Sequence, residues 1–509
     1  MVSVLRSFAL NGVDALDVDV EVDVSPGMSV FDIVGLPDNA VRESRNRVRA
    51  VMGNCGLSFP KTKCTVNLAP ADLRKSGSLY DLPILIGVLR SSGGAEVREN
   101  LAEDAFVGEL SLAGELRGVC GVLPMALRAR ERGLRRLYVP AVNAPEASVV
   151  EGLEVYGVAA VPELVAHLCG GARLSPVPPM RYADIPLPPV SDFRDVKGQQ
   201  AAVRALEVAA AGGHNLLMVG PPGTGKSMLA KRFPSILPDL TFEEAIETSR
   251  VHSVAGLLGP DQPLVRARPF RDPHHSVTTA GMVGGGSPVH PGEIELAHNG
   301  VLFLDELPEF RRDVKEALRQ PMENGRISVV RATGSVDFPS RFMLIAAMNP
   351  CPCGYYGHPT KPCTCSASMT SAYLEKVSGP LLDRVDIQIE VGPVSVDELT
   401  GGQPGEASAP IRERVMRARA IQAARAGDPA ATNAHIEPGK LNEFCPMTER
   451  ASKLMKASFE RLSLNPRSYT RILQVARTVA DLAGSEKIDA DAIAEAIQYR
   501  ALERKYWKR

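Results

Sequence analysis

The sequence predicts an α/β core that binds phosphates, with a mixed α+β segment before it and an all-helical segment after it. Three observations carry this prediction. Residues 220–227 read GPPGTGKS and directly follow the apolar run HNLLMV. Residues 301–306 read VLFLDE, four apolar positions ending in two carboxylates. From residue 411 onward, apolar residues recur at helical spacing almost without interruption.

In chain order, valines alternate with acids from Leu16 to Val24, the period of a half-buried strand. A helix is predicted over 38–52, and apolar strands over 64–69, 105–112 and 136–139, so the first segment is α+β. Residues 171–190 carry six prolines, a density that blocks helix and sheet and favours a stiff extended connector. Strands at Asn215–Val219, Val301–Leu304 and Phe342–Ala347 then alternate with helical patterns, as a parallel sheet requires. Residues 400–410 (TGGQPGEASAP) have no periodicity and read as a loop. Helices are predicted over 411–425, 447–461, 468–482 and 489–503. The chain divides into 1–172, a proline-rich linker 173–190, a core 191–399 and a helical segment 411–509.

A length of 509 residues fits roughly three domains. The net charge of −1 gives no whole-chain positive field, so any nucleic-acid contact must come from a local patch. One tryptophan argues against extensive base stacking. The first residues do not resemble a secretory signal, and the longest apolar runs, such as Leu82 to Leu89, are too short to span a bilayer. Five of the nine cysteines are scattered, which argues against a disulfide framework. A cytoplasmic protein with no membrane partner is the expectation.

The glycine-rich turn sits between a strand and a helix, the context a phosphate loop needs. Gly220, Gly223 and Gly225 let the backbone curl, so that the loop Gly220, Pro221, Pro222, Gly223, Thr224, Gly225, Lys226, Ser227 and Met228 is expected to cradle the nucleotide, its available N–H groups facing phosphate oxygens. Lys226 supplies a positive charge for the β- and γ-phosphates, and the Ser227 hydroxyl ligates magnesium. Asp305 is expected to hold magnesium through water, and Glu306 to polarise the attacking water. Together these residues predict binding and hydrolysis of a nucleoside triphosphate with Mg2+. Asn349, ending the apolar run Phe342–Met348, is either a polar contact for the γ-phosphate or a plain turn residue. Arg384 in GPLLDRVDI and Arg467 in NPRSYTRI read, on residues alone, as surface or salt-bridge arginines.

Cys351, Cys353, Cys363 and Cys365 fall in NPCPCGYYGHPTKPCTCS as CxC-x9-CxC. Four thiolates so close in sequence suit a structural tetrahedral Zn2+. The alternatives are free thiols, or His358 in place of one ligand. His274 and His275 in DPHHS have no flanking ligands, and a loop-positioning role is preferred over metal binding.

The order of these motifs resembles AAA+ ATPases of the magnesium-chelatase-like group. DFRDVKGQQAAVRALEVAAAGGHNLLMVGPPGTGKS and RPFRDPHHSVTTAGMVGGG…PGEIELAHNGVLFLDELPEF are similar to the ComM/YifB family in particular. The resemblance implies ATP as the nucleotide and makes Asn349 the sensor of the γ-phosphate. It makes Arg384 a finger reaching a neighbouring subunit's site, and Arg467 the arginine of a helical lid. It implies a homo-oligomeric, usually hexameric ring. It implies a helicase that drives branch migration of single-stranded or branched DNA in homologous recombination and natural transformation. A chelatase-type motor that remodels a protein partner is the alternative. In this clade ENGRISVVRATGSVDFP resembles a pore hairpin, with Arg331 toward DNA.

Residues 64–140 resemble the Lon-protease-like fold shared with a ribosomal S5-type domain. The expected nucleophile position holds Leu79, with Ser78 one residue off, and Met125 stands where the lysine would be. No lysine occurs from residue 76 to 196, so this unit is read as non-proteolytic. Arg42, Arg45, Arg47 and Arg49 lie near one helical side, which is read as a solvated face.

Overall fold

Alternating valines and acids do form a strand. In the computed structural model, β1 (Ser3–Asn11) and β2 (Asp14–Ser25) pair antiparallel through a two-residue turn, Asn11 opposite Asp14. Val18, Val20 and Val22 are buried, and the intervening acids face outward. The structure describes residues 2–507 apart from 98–99, 287–288, 332–333, 396, 399–400, 402–403 and 463–464. Further strands of this first unit are β3 (Phe31–Val34), β4 (Lys63–Ala69), β5 (Asp104–Phe106), β6 (Glu109–Leu110), β7 (Leu116–Arg117), β8 (Arg136–Pro140) and β9 (Glu154–Val158). Seven of the nine form one mixed sheet in the order β3-β4-β2-β1-β5-β8-β9. The helix Asp81–Ser92 lies against it, with Gly87 at the closest approach: a Cβ there would stand 2.5 Å from Val22 Cγ2.

One predicted strand divides. Residues 105–112 become β5 and β6, because the backbone leaves the sheet at Gly108, whose N–H bonds to the Leu79 carbonyl at 2.9 Å. The proline-rich stretch stays irregular but is fastened along its length. Val177 N–H bonds to Val155 O at 2.7 Å, and Tyr182 Oη donates to Leu240 O at 2.6 Å. The first unit also meets the core directly, where Gly121 N–H bonds to Ser253 O at 3.0 Å and Glu146 accepts from Ser253 Oγ.

The core holds β10 (Leu216–Val219), β11 (Phe270–Arg271), β12 (Gly300–Leu304), β13 (Arg326–Arg331), β14 (Gly334–Pro339), β15 (Phe342–Met348) and β16 (Ile387–Glu390). Five of these form an all-parallel sheet, β11-β12-β15-β10-β16. Every residue of β10 and β12 is buried, as expected for strands covered on both faces. β13 and β14 make a separate antiparallel hairpin.

Past residue 407 the chain is helical: Ser408–Ala426, Glu449–Leu462, Pro466–Leu482, Ala490–Gln498 and Ala501–Tyr506. The helix predicted over 489–503 is thus two helices. It breaks because the Tyr499 carbonyl accepts from Gln388 N–H of β16 at 2.8 Å, and Arg500 Nη1 donates to Val385 O at 3.0 Å. An ion pair also joins this segment to the core, half-buried Arg471 to buried Asp386 at 3.1 Å.

Candidate active site

Strands β10, β15 and β12 end side by side, and the polar residues that follow each strand meet there. Gly220 N–H bonds to Met348 O at 3.1 Å, which sets the glycine-rich turn beside Asn349. Gly223 and Gly225 have φ of +80° and +88°, a backbone conformation that favours glycine. The loop then enters the helix Lys226–Arg232.

Lys226 Nζ donates to the carbonyls of Gly220 and Pro221 at 2.7 and 2.8 Å and reaches Asn349 Oδ1 at 3.3 Å. Burial pulls this ammonium down to about 8, with Asp305 opposing the shift. A buried cation ringed by neutral oxygens is matched to an anionic ligand. Ser227 Oγ donates to Asp305 Oδ2 at 2.5 Å, so the two oxygens expected on magnesium already adjoin. A hydroxyl and a carboxylate are hard oxygen donors and fit Mg2+.

Glu306 follows with φ +53° and ψ +45°, the left-handed region, which for a non-glycine residue costs on the order of 1–2 kcal/mol. The turn aims its carboxylate outward, 56 % exposed and 3.4 Å from His275 Nδ1. That contact was not read in the sequence, which left the histidine pair with a loop-positioning role. Gln199 was also missed. Its Nε2 donates to Gly392 O at 2.7 Å and Thr224 O at 3.4 Å, tying the phosphate loop to the strand edge. It lies inside the family-like block 192–227, but nothing in that block marks it as a phosphate-loop contact.

The two arginines are placed differently. Arg384 is almost wholly buried, paired with Glu323 and donating to Pro380 O at 2.6 Å. Arg467 opens the helix Pro466–Leu482, largely exposed, with its guanidinium 4.0 Å from Asp383. Arg331 closes β13, and its side chain lies outside the described residues.

The four loop cysteines converge, with all Sγ atoms within 4.8 Å of one another. Separations of 3.4, 3.5 and 3.7 Å compare with about 3.8 Å between thiolates on a tetrahedral metal at ~2.3 Å. Backbone N–H groups of Tyr355 and Thr364 hold the Cys353 thiol down to about 5. The donor set therefore fits a soft divalent metal. His358 Nδ1 instead accepts from Thr360 and Lys361 N–H at 3.1 and 3.0 Å. The loop packs on the glycine-rich turn: a Cβ on Gly354 would stand 2.5 Å from Pro222 Cδ.

In the first unit, Leu79 and Met125 are both buried among apolar residues. Ser78 donates to Glu109, and Lys75 Nζ is held by the Pro70 carbonyl. Arg47 pairs with buried Asp81 at 2.7 Å, and Arg49 lies over the Phe59 ring at 5.1 Å. Arg42 and Arg45 are exposed.

Three family models match successive parts of the chain: subunit ChlI of magnesium chelatase at 20–143, magnesium chelatase subunit ChlI at 192–399, and its C-terminal part at 405–500. The competence protein ComM of Haemophilus influenzae is 43 % identical over 99 % of this chain and 98 % of its own. YifB of Escherichia coli, an uncharacterised protein, is 41 % identical over 99 % and 97 %. The DNA replication licensing factor Mcm5 of Drosophila melanogaster is 30 % identical over 26 % of this chain and 16 % of its own. With the full-length match and the five-stranded parallel sheet both in hand, the chain belongs to the ComM/YifB family of magnesium-chelatase-like AAA+ ATPases.

Proposed function

We propose that this protein is an ATP-driven motor that translocates on single-stranded or branched DNA, acting as a branch-migration helicase in homologous recombination or natural transformation. The observation that carries the motor chemistry is the convergence of Lys226, Ser227, Asp305 and Asn349 at the ends of adjoining strands. Full-length likeness to a competence protein supports DNA as the substrate, and the short likeness to a replication licensing factor agrees.

Lys226 and the backbone N–H groups of 223–228 hold the triphosphate. Ser227 and Asp305 hold Mg2+, which neutralises phosphate charge when bound. Glu306 orients and polarises the water, and Asn349 reads the γ-phosphate from the next strand. Arg384 completes the site of a neighbouring subunit in a hexameric ring, and Arg467 acts from a helical lid formed by 411–509. In the single chain Arg384 is capped by Glu323, so assembly must exchange that partner for phosphate. Residues 191–399 form the motor core, 173–190 the linker, and 1–172 a non-proteolytic accessory unit of Lon-like, S5-type fold. The buried Leu79 and Met125 support that last reading. Arg331 on the β13–β14 hairpin contacts DNA in the ring's pore. Cys351, Cys353, Cys363 and Cys365 hold a structural Zn2+ that stiffens the loop against Pro222. The protein works in the cytoplasm; among the described residues no helix is long and apolar enough to cross a membrane.

The second reading is a motor that remodels a protein partner in the manner of a chelatase. Three family models named for a chelatase subunit favour it. ATP turnover with and without single-stranded and four-way DNA separates the two. The DNA motor predicts stimulation of several-fold. Turnover indifferent to every DNA, with no DNA bound by the ATP-loaded protein, favours the protein partner.

A further inference from the structure

We propose that His275 is a positioning residue for hydrolysis, holding the Glu306 carboxylate so that one oxygen faces the attacking water. The inference rests on the reading of Glu306 as the group that polarises that water.

β11 is the edge strand beside β12, with Arg271 opposite Leu302. Four residues beyond β11, His275 therefore arrives over the end of β12. Its Nδ1 stands 3.4 Å from Glu306 Oε2. An ionised carboxylate only accepts, so a proton shared here belongs to the imidazole. At this distance the two groups form an ion-pair contact, and a small rotation of either side chain brings them to hydrogen-bond geometry. Among the described residues His275 is the one side chain within ion-pair distance of the Glu306 carboxylate.

The histidine is itself held. Its ring lies 4.1 Å from that of His274 and meets the edge of Phe310 at 6.4 Å and 80°. His274 is fixed in turn by Ser276, whose hydroxyl and N–H lie 2.8 and 3.3 Å from its Nδ1. Phe310 is buried and only four positions past Glu306, so both partners are braced by the same short stretch. Such bracing is what a positioning group needs: a half-exposed glutamate on a left-handed turn would otherwise sample several rotamers. Nδ1–H fixes Oε2 and leaves Oε1 for the water.

The test compares His275→Leu, which keeps bulk but loses the donor, with His275→Asn, whose amide nitrogen takes the place of Nδ1. Steady-state kcat and KM for ATP are measured on the full chain, and binding of a fluorescent ATP analogue checks the fold. The leucine variant should lose about 10- to 100-fold in kcat with KM within about 2-fold, and the asparagine variant should recover most of the loss. In a Glu306→Gln background, His275→Leu should add no further loss. Wild-type kcat in the leucine variant, or equal losses in both variants, overturns the inference. Should the leucine variant fail to bind the analogue, His275→Ala carries the same comparison. If the unaltered protein hydrolyses no ATP, the reading of Glu306 fails and this inference with it. If it does hydrolyse ATP and His275→Leu is unimpaired, only the positioning role fails.

Discussion

Lys226 folds its ammonium back onto its own loop, an arrangement that neutral carbonyls satisfy only until an anion displaces them. Lys226→Ala should therefore abolish ATP binding, a loss of about 100-fold or more in affinity by titration with a fluorescent analogue. Glu306→Gln should bind the analogue as the wild type does and lose about 10²–10⁴-fold in turnover. Equal loss of binding in both variants would contradict the division of labour. These residues were legible because their motif is local: one turn of eight residues carries loop, cation and hydroxyl. Gln199 and His275 were not, because their partners are distant in sequence. Gln199 reaches Gly392, 193 positions away, and His275 faces a strand end across a long excursion of the chain. Arg384 was singled out only through family likeness, and its burial against Glu323 is a property of tertiary packing that no local pattern carries.

At the scale of elements, the cysteine loop and the short helix before β12 each make a testable claim. The purified protein should carry about one zinc per chain, and Cys353→Ser should lose it. With the loop no longer stiffened against Pro222, melting should fall by several degrees and nucleotide affinity should weaken. Metal analysis beside a melting curve checks both. The helix Glu293–Leu296 buries Glu295, whose Oε2 accepts from Gly292 N–H at 2.9 Å while Oε1 has no partner. Burial pushes this carboxyl up to about 7 from 4.5. Because the folded value is raised, both states are protonated below about 4.5. Between there and about 7 the unfolded chain gives up its proton first, so stability falls as pH rises, by about 3 kcal/mol in all. Glu295→Gln should melt higher than the wild type at pH 8, with the gap shrinking toward pH 5. A gap that does not change with pH would contradict it. Long periodic elements were read well from the sequence, as with the helix Asn39–Asn54 and β15. The misjudged ones, 105–112 and 489–503, break where a carbonyl or N–H is drawn to a distant strand or loop.

At the scale of the molecule, the first unit is hydrogen-bonded to the core at Ser253 and through the linker at Leu240. In the proposed ring, Arg384 ties turnover to assembly. Mixing equal amounts of Glu306→Gln and Arg384→Ala chains, each inactive alone, should restore about a quarter of the turnover, since an Arg384→Ala chain beside a Glu306→Gln chain has an intact site served by an intact arginine. No recovery on mixing would mean that each chain completes its own site. The most direct measurement of the whole account is displacement of a labelled strand from a four-way DNA junction, followed by fluorescence. The account predicts ATP-dependent displacement by the wild type and none by Glu306→Gln, which should still bind the junction. Vigorous ATP hydrolysis that leaves every junction intact and unbound would contradict it.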